Sequence, residues 1–134
     1  VANMANIPIA DNSIDCAIHL FAPFCEREFL RVIKPGGHLI SVCPGTDHLW
    51  EMKSVLYEKP YKNEEICPDI EGFTLSRAFN STHTAHLTSK DDIEALFKMT
   101  PYYYHTSPAD KLKLGSLDSL DTTIDFYIRI YLKD

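Results

Sequence analysis

Two short apolar runs joined by a helical pattern constrain this chain more than any other feature. Residues 16–21 (Cys-Ala-Ile-His-Leu-Phe) follow Asp11-Asn12-Ser13, three residues that favour turns, and are apolar enough to form a strand covered on both faces. Phe29, Leu30, Val32 and Ile33 then recur at helical spacing, and Lys34 adds positive charge in the last turn. Pro35-Gly36-Gly37 stops that helix before a second buried run, Leu39-Ile40-Ser41-Val42. Strand, helix and strand in this order make one β-α-β unit, so a parallel sheet is expected.

Downstream, Thr46 or Asp47 is placed to cap a helix with Leu49, Met52 and Leu56 on one face, ending before Pro60. Residues 57–71 are polar and read as a connecting excursion. A strand is expected over 72–79 and a short second one over 83–87. Ser89 with Asp92 resembles a capping box before a helix carrying Ile93, Leu96 and Phe97 and ending at Met99. Residues 101–115 read as loop. Residues 124–132 alternate Ile, Phe, Ile, Ile and Leu against Asp, Tyr, Arg and Tyr, the period of a strand.

With 134 residues the chain has one domain's worth of sequence, and its net charge of −6 argues against holding RNA by electrostatics alone. Cys16, Cys25, Cys43 and Cys67 lack the C-x-x-C spacing of a zinc site. Reduced thiols in or beside buried elements, with no metal, are expected. Neither a signal peptide nor a membrane-length apolar run is present in the sequence, which points to a cytoplasmic setting.

The step Ile7-Pro8-Ile9, the turn Asp11-Asn12-Ser13-Ile14-Asp15 and the run Leu30-Arg31-Val32-Ile33-Lys34-Pro35-Gly36-Gly37 resemble the fourth and fifth strand region of class I S-adenosylmethionine-dependent methyltransferases. Ala22-Pro23, residues 44–53 (Pro-Gly-Thr-Asp-His-Leu-Trp-Glu-Met-Lys), Glu71-Gly72-Phe73, Met99-Thr100-Pro101-Tyr102 and Thr123-Ile124-Asp125-Phe126 narrow the resemblance. Together they resemble the bacterial 23S rRNA guanine-N1 methyltransferases of the RlmA type. The resemblance spans nearly the whole chain and about the last half of a family member. It implies an α/β, Rossmann-like mixed sheet of strand order 4-5-7-6. It also implies a partial methyltransferase domain over 1–134, without the family's zinc module and Gly-rich cofactor loop, opening where a third strand would end.

The resemblance further implies a cofactor, S-adenosylmethionine, bound weakly or not at all by this chain in isolation. Asn3 and Met4 stand where the superfamily contacts adenine, and His19, Leu20 and Phe21 form the loop beside the cofactor. A frayed terminus at Asn3 and a packed core histidine at His19, where the family carries an Arg-like residue, are the alternatives. Pro44 and Gly45 would face the substrate base, with Thr100, Pro101, Tyr102 and Tyr104 around it. Methylation at guanine N1 requires loss of the N1 proton, so a base or a group polarising the carbonyl must stand near it. Asp47, His48 and Glu51 are the candidates, against a plain cap for Asp47 and a solvated face for Glu51. A flipped base also needs aromatic partners, a role suited to the tyrosines at 102–104. The implied partner is 23S rRNA, and the 14–21 strand, left without its usual neighbour, is expected to give a homodimer or other self-association through that edge. A small-molecule methyltransferase and a non-catalytic dimerisation remnant are the alternative functions.

Overall fold

A computed structural model describes residues 3–134 of the chain. The order of elements is β1 (Ile14–Leu20), α1 (Glu26–Val32), β2 (Ile33–Pro44), α2 (Trp50–Leu56), β3 (Phe73–Leu87), α3 (Lys90–Lys98), α4 (Tyr102–His105), α5 (Pro108–Gly115) and β4 (Leu120–Lys133). Among the described residues the strands form a mixed sheet of order β1-β2-β4-β3. β1 runs parallel to β2, Leu20 opposite Val42, and β4 runs antiparallel to β2, Ile130 opposite Ile40. This is the 4-5-7-6 order expected from the sequence, with the last strand inserted and reversed. The expectation of a third-strand end at Val1 and Ala2 lies outside the described residues.

The chain divides into two compact units. The first comprises residues 1–45, 64–81 and 126–134, the second residues 46–63 and 82–125. In the first, Phe29 and Val32 of α1 pack with Ile33 and Leu39 of β2, Ile70, Phe73 and Tyr131. In the second, Leu49, Met52 and Leu56 join Ile93 and Phe97 of α3 and Leu114 of α5, which confirms the apolar face expected for α2.

Several sequence expectations are corrected. α1 ends at Val32, and the Pro-Gly-Gly stop lies inside β2 as an irregularity that shifts the register between Ile14 and Cys16. Gly36 adopts φ +75°, and a Cβ at Gly37 would stand 2.9 Å from the Asp15 carbonyl oxygen, so neither position accepts another side chain without strain. β1 is not covered on both faces, with Ile18 67% and Leu20 56% exposed, and Cys16 is exposed with it. The four cysteines are free. β3 is one continuous strand rather than two.

The residues read as loop over 101–115 contain α4 and α5. Ser107 accepts the Asp110 N–H at 3.2 Å, as Ser89 accepts that of Asp92 at 3.1 Å, and Pro108 opens the helix where its missing N–H costs nothing. Neither Thr46 nor Asp47 caps α2. The position before that helix is Leu49, at φ +56°, with no side-chain cap.

β4 has the expected alternation, but its buried set is the polar one. Thr122, Asp125, Arg129, Tyr131 and Lys133 are buried, while Leu132 is exposed. Lys133 Nζ donates to Asn12 Oδ1 at 2.8 Å and to the Leu30 and Ile33 carbonyls, both at 2.7 Å. It thereby satisfies acceptors that the end of α1 leaves open.

Candidate functional site

In an open α/β sheet, ligands sit beyond the carboxyl ends of the parallel strands. In the first unit those ends are the loops after β1 and β2. The Phe21 N–H donates to the Val42 carbonyl at 3.2 Å, and the Phe21 ring packs edge-on against Phe126, whose register partner is Pro44. Leu20, Phe21 and Pro44 are thus brought to one rim. Phe21 takes φ +46°, a left-handed conformation that a bulky residue holds only when its surroundings impose it.

Asn3 lies in an isolated bridge with Asn6, and its Oδ1 accepts the Ala5 N–H at 2.9 Å, which leaves one lone pair of that oxygen for a further donor. Met4, Ile14, Ala17, Ile18, Leu20 and Phe29 help line an apolar concavity of about 440 Å³ beside β1. Asn3 is not among the residues that line this concavity. Its amide oxygen is a group of the kind that accepts from an amino group such as that of adenine. His19 is buried, with Nε2 2.8 Å from the Ala22 carbonyl and Nδ1 3.3 Å from Ser41 Oγ.

In the second unit, residues 46–51 meet the start of β4. Asp125 Oδ2 accepts the Asp47 N–H at 3.1 Å, and the Asp125 N–H donates to His48 Nδ1 at 3.2 Å. With Nδ1 accepting, the ring proton of neutral His48 sits on Nε2. Burial pushes the His48 pKa down and so favours this neutral form, the form that accepts the Asp125 N–H at Nδ1. Glu51 accepts the Thr123 N–H at 2.7 Å and the Thr123 hydroxyl at 2.9 Å, with Thr122 Oγ1 at 3.3 Å. Burial alone would raise its pKa, but these hydrogen bonds outweigh it and hold the carboxylate ionised. The Asp47 carboxylate pairs with Lys62 at 2.6 Å, and Lys62 also stands 5.0 Å over the ring of Trp50.

Thr100 is buried and donates to the Phe97 carbonyl at 2.8 Å, closing α3. Pro101 stands immediately before α4. Tyr102 is half-buried in the second core, and burial pushes its hydroxyl up to about 12. Tyr104 is 79% exposed. A residue that sequence reasoning missed lies nearby: Lys53 is fully buried, its Nζ donating to Asn63 Oδ1 at 2.7 Å and to the Tyr61 carbonyl at 3.3 Å. Its ammonium also faces the rings of Tyr61 and Tyr102, 4.7 and 5.4 Å from their centroids, and burial lowers its pKa.

No family model matches the chain. Individual relatives do. The YxjB protein of Bacillus subtilis, which carries the provisional name 23S rRNA (guanine-N1)-methyltransferase, is 32% identical over 138 aligned positions, covering 99% of this chain and 49% of its own length. The chain belongs to this family. A Micromonospora griseorubida protein of the same provisional name is 31% identical over 77% of the chain, and the 23S rRNA (guanine(748)-N1)-methyltransferase of Streptomyces fradiae is 27% identical over 76%. The chain spans about half the length, or less, of these rRNA methyltransferase relatives, 49%, 36% and 38% respectively. Its fold matches BH2331 of Bacillus halodurans, provisionally described as a methyltransferase, and YcgJ of Bacillus subtilis. Each has a TM-score of 0.51 and 11% identity, covering 98% of this chain and 69% of the other.

Within the family's fold, the residues unforeseen from sequence are Ser41, Lys53, Thr122, Thr123, Asp125 as a hydrogen-bonding partner, and Arg129. Their only signal was polarity at strand or helix positions otherwise apolar.

Proposed function

We propose that this chain is a partial methyltransferase domain that contributes the adenosine side of the cofactor site and the base-facing loops to an enzyme methylating guanine N1 in 23S rRNA. The observation that carries the reading is the match to YxjB over 99% of the chain, including residues 44–53 that precede and form the first half of α2. S-adenosylmethionine, when bound, supplies an electrophilic sulfonium methyl. Asn3 would accept from the adenine amino group, and the backbone of Met4, Leu20 and Phe21 would border the nucleoside.

On the substrate side, Pro44 and Gly45 allow close approach of the base. His48, donating from Nε2, would polarise the guanine carbonyl and so acidify the neighbouring N1 proton. Asp47 and Glu51 hold the segment that carries His48, Asp47 through its N–H to Asp125 and Glu51 through Thr122 and Thr123. The exposed Tyr104 ring offers a stacking face for an extruded base, while Thr100, Pro101 and Tyr102 form its support. With a net charge of −6 the chain relies on other segments of the enzyme for most of its grip on RNA.

Among the described residues no helix is long and apolar enough to cross a membrane, and a cytoplasmic enzyme is proposed. The exposed apolar residues of β1 support pairing of that edge with a second copy when this chain stands alone, giving a homodimer.

The test is methyl transfer by the full-length protein onto large-subunit rRNA, read as N1-methylguanosine by mass spectrometry. In single-turnover reactions at saturating cofactor, His48→Ala is expected to slow transfer by about 100-fold with cofactor affinity changed less than about threefold. Methylation of small molecules alone, or an unchanged rate in His48→Ala, would overturn the reading.

A further inference from the structure

His19 is buried on β1, and the structure places it at the end of a line of polar side chains. Three buried side chains from three strands form a continuous line in the first unit. Arg129 of β4 donates from one guanidinium nitrogen to Ser41 Oγ of β2 at 2.9 Å, and from the other to the Ile66 carbonyl. Its Nε is buried without a partner, and no carboxylate lies within ion-pair distance of it among the described residues. Ser41, fully buried, accepts from Arg129 and so has its own proton to give to His19 Nδ1, 3.3 Å away. The far nitrogen, Nε2, faces the Ala22 carbonyl oxygen at 2.8 Å, and an oxygen of that kind only accepts. For a neutral ring the directions of all three bonds follow, and the proton of His19 sits on Nε2.

The carbonyl that His19 holds belongs to the residue after Phe21, the non-glycine residue at φ +46°. Left to itself that conformation costs about 1 kcal/mol or more, so something must hold it. The edge-on packing of the His19 ring against Phe24 at 5.2 Å and Phe29 at 5.6 Å keeps the imidazole from turning away. We propose that His19 is a positioning residue of the cofactor loop: the line from Arg129 through Ser41 fixes its tautomer, and its Nε2–H clamps Ala22 so that Phe21 stays in its left-handed conformation. The proposal rests on the function proposed above in taking residues 20–22 as the loop beside the cofactor. His19 on this account does not touch the cofactor.

Two measurements test it. In the ¹⁵N-labelled chain, long-range proton–nitrogen correlations of the His19 ring should show the Nε2–H tautomer, and His19→Leu should cut the hydrogen-exchange protection of the Phe21 amide by about tenfold, the size of one net hydrogen bond. In the full-length protein, His19→Leu should weaken binding of S-adenosylhomocysteine by about tenfold. His19→Gln, whose amide can accept from Ser41 and donate to Ala22, should restore affinity to within about threefold of wild type. An Nδ1–H tautomer, or unchanged Phe21 protection in His19→Leu, would overturn the clamp. Equal weakening by Leu and Gln would overturn positioning in favour of a direct ring contact. A wild-type protein that binds no S-adenosylhomocysteine would sink the proposed function alone, because the tautomer and Phe21 protection still decide whether the clamp exists.

Discussion

Strands β1 and β4 flank β2 on opposite sides, and their chemistry and burial run in opposite directions. β1 is rich in apolar side chains, yet Ile18 and Leu20 are largely exposed, while β4 buries Arg129 and Lys133 at 7% and 8% exposure. Position in the sheet explains the inversion. Among the described residues β1 has a neighbour on one side only, whereas β4 lies between β2 and β3. A buried charge is tolerable where it meets acceptors that would otherwise go unsatisfied, and Lys133 meets three. An apolar strand left open is a surface that calls for a partner. Hydrophobicity alone therefore misranks these two strands, and the supply of hydrogen-bond partners ranks them correctly.

The sharpest way to break this comparison is Lys133→Met, which keeps an apolar stem and deletes three charge-assisted hydrogen bonds. A loss of about 3 kcal/mol in urea unfolding is expected, and a loss under about 1 kcal/mol would mean the buried cation is dispensable. Glu51→Gln attacks the polar start of β4 from its partner side. It should cost about 2 kcal/mol, because an amide cannot accept with both terminal atoms from Thr122 and Thr123. An unchanged unfolding midpoint would return Glu51 to the list of free acid-base groups.

The segment leading into β1 gives a pH test. The Glu28 carboxylate accepts from Arg31 and from the Ile7 N–H, and these bonds bring its pKa from 4.5 down to about 2. A lowered folded pKa gives stability that is complete above the unfolded value and is lost as pH falls from about 4.5 toward about 2. Glu28→Gln should flatten this part of the stability–pH curve, and a curve of unchanged slope between those values would count against the pair.

The smallest expected effect on folding is at the edge itself. Ile18→Lys should change stability by no more than about 0.5 kcal/mol, since the side chain is 67% exposed, while lowering self-association of the isolated chain. Sedimentation at several concentrations reads both states. A wild-type chain that stays monomeric at high concentration would show that the open strand needs no cover.

The β-α-β unit was legible because its signals are local: turn residues, helical spacing and two apolar runs within one stretch, although Pro35-Gly36-Gly37 falls inside β2 and does not end the helix. The reversed last strand was legible through family resemblance. What escaped depends on partners distant in sequence. Alternation in β4 gives its period but not which face is buried, since Arg129 finds Ser41 from 88 positions away. The Ser107–Asp110 start of α5 repeats the Ser89–Asp92 pattern, but three tyrosines and two prolines around it read as loop. For the site, His48 and Glu51 were visible as candidates, whereas their engagement by Asp125, Thr122 and Thr123 more than 70 positions later was not.

Trp50, the only tryptophan in the chain, lies in the second of the two compact units with the Lys62 ammonium 5.0 Å above its ring. Its emission is therefore a private optical channel for residues 46–63 and 82–125, tuned by a cation that departs when that segment loosens. Far-ultraviolet dichroism draws instead on both units. If the two units melt apart, the fluorescence and dichroism midpoints will separate, and any single free energy fitted to either signal will describe only part of the molecule.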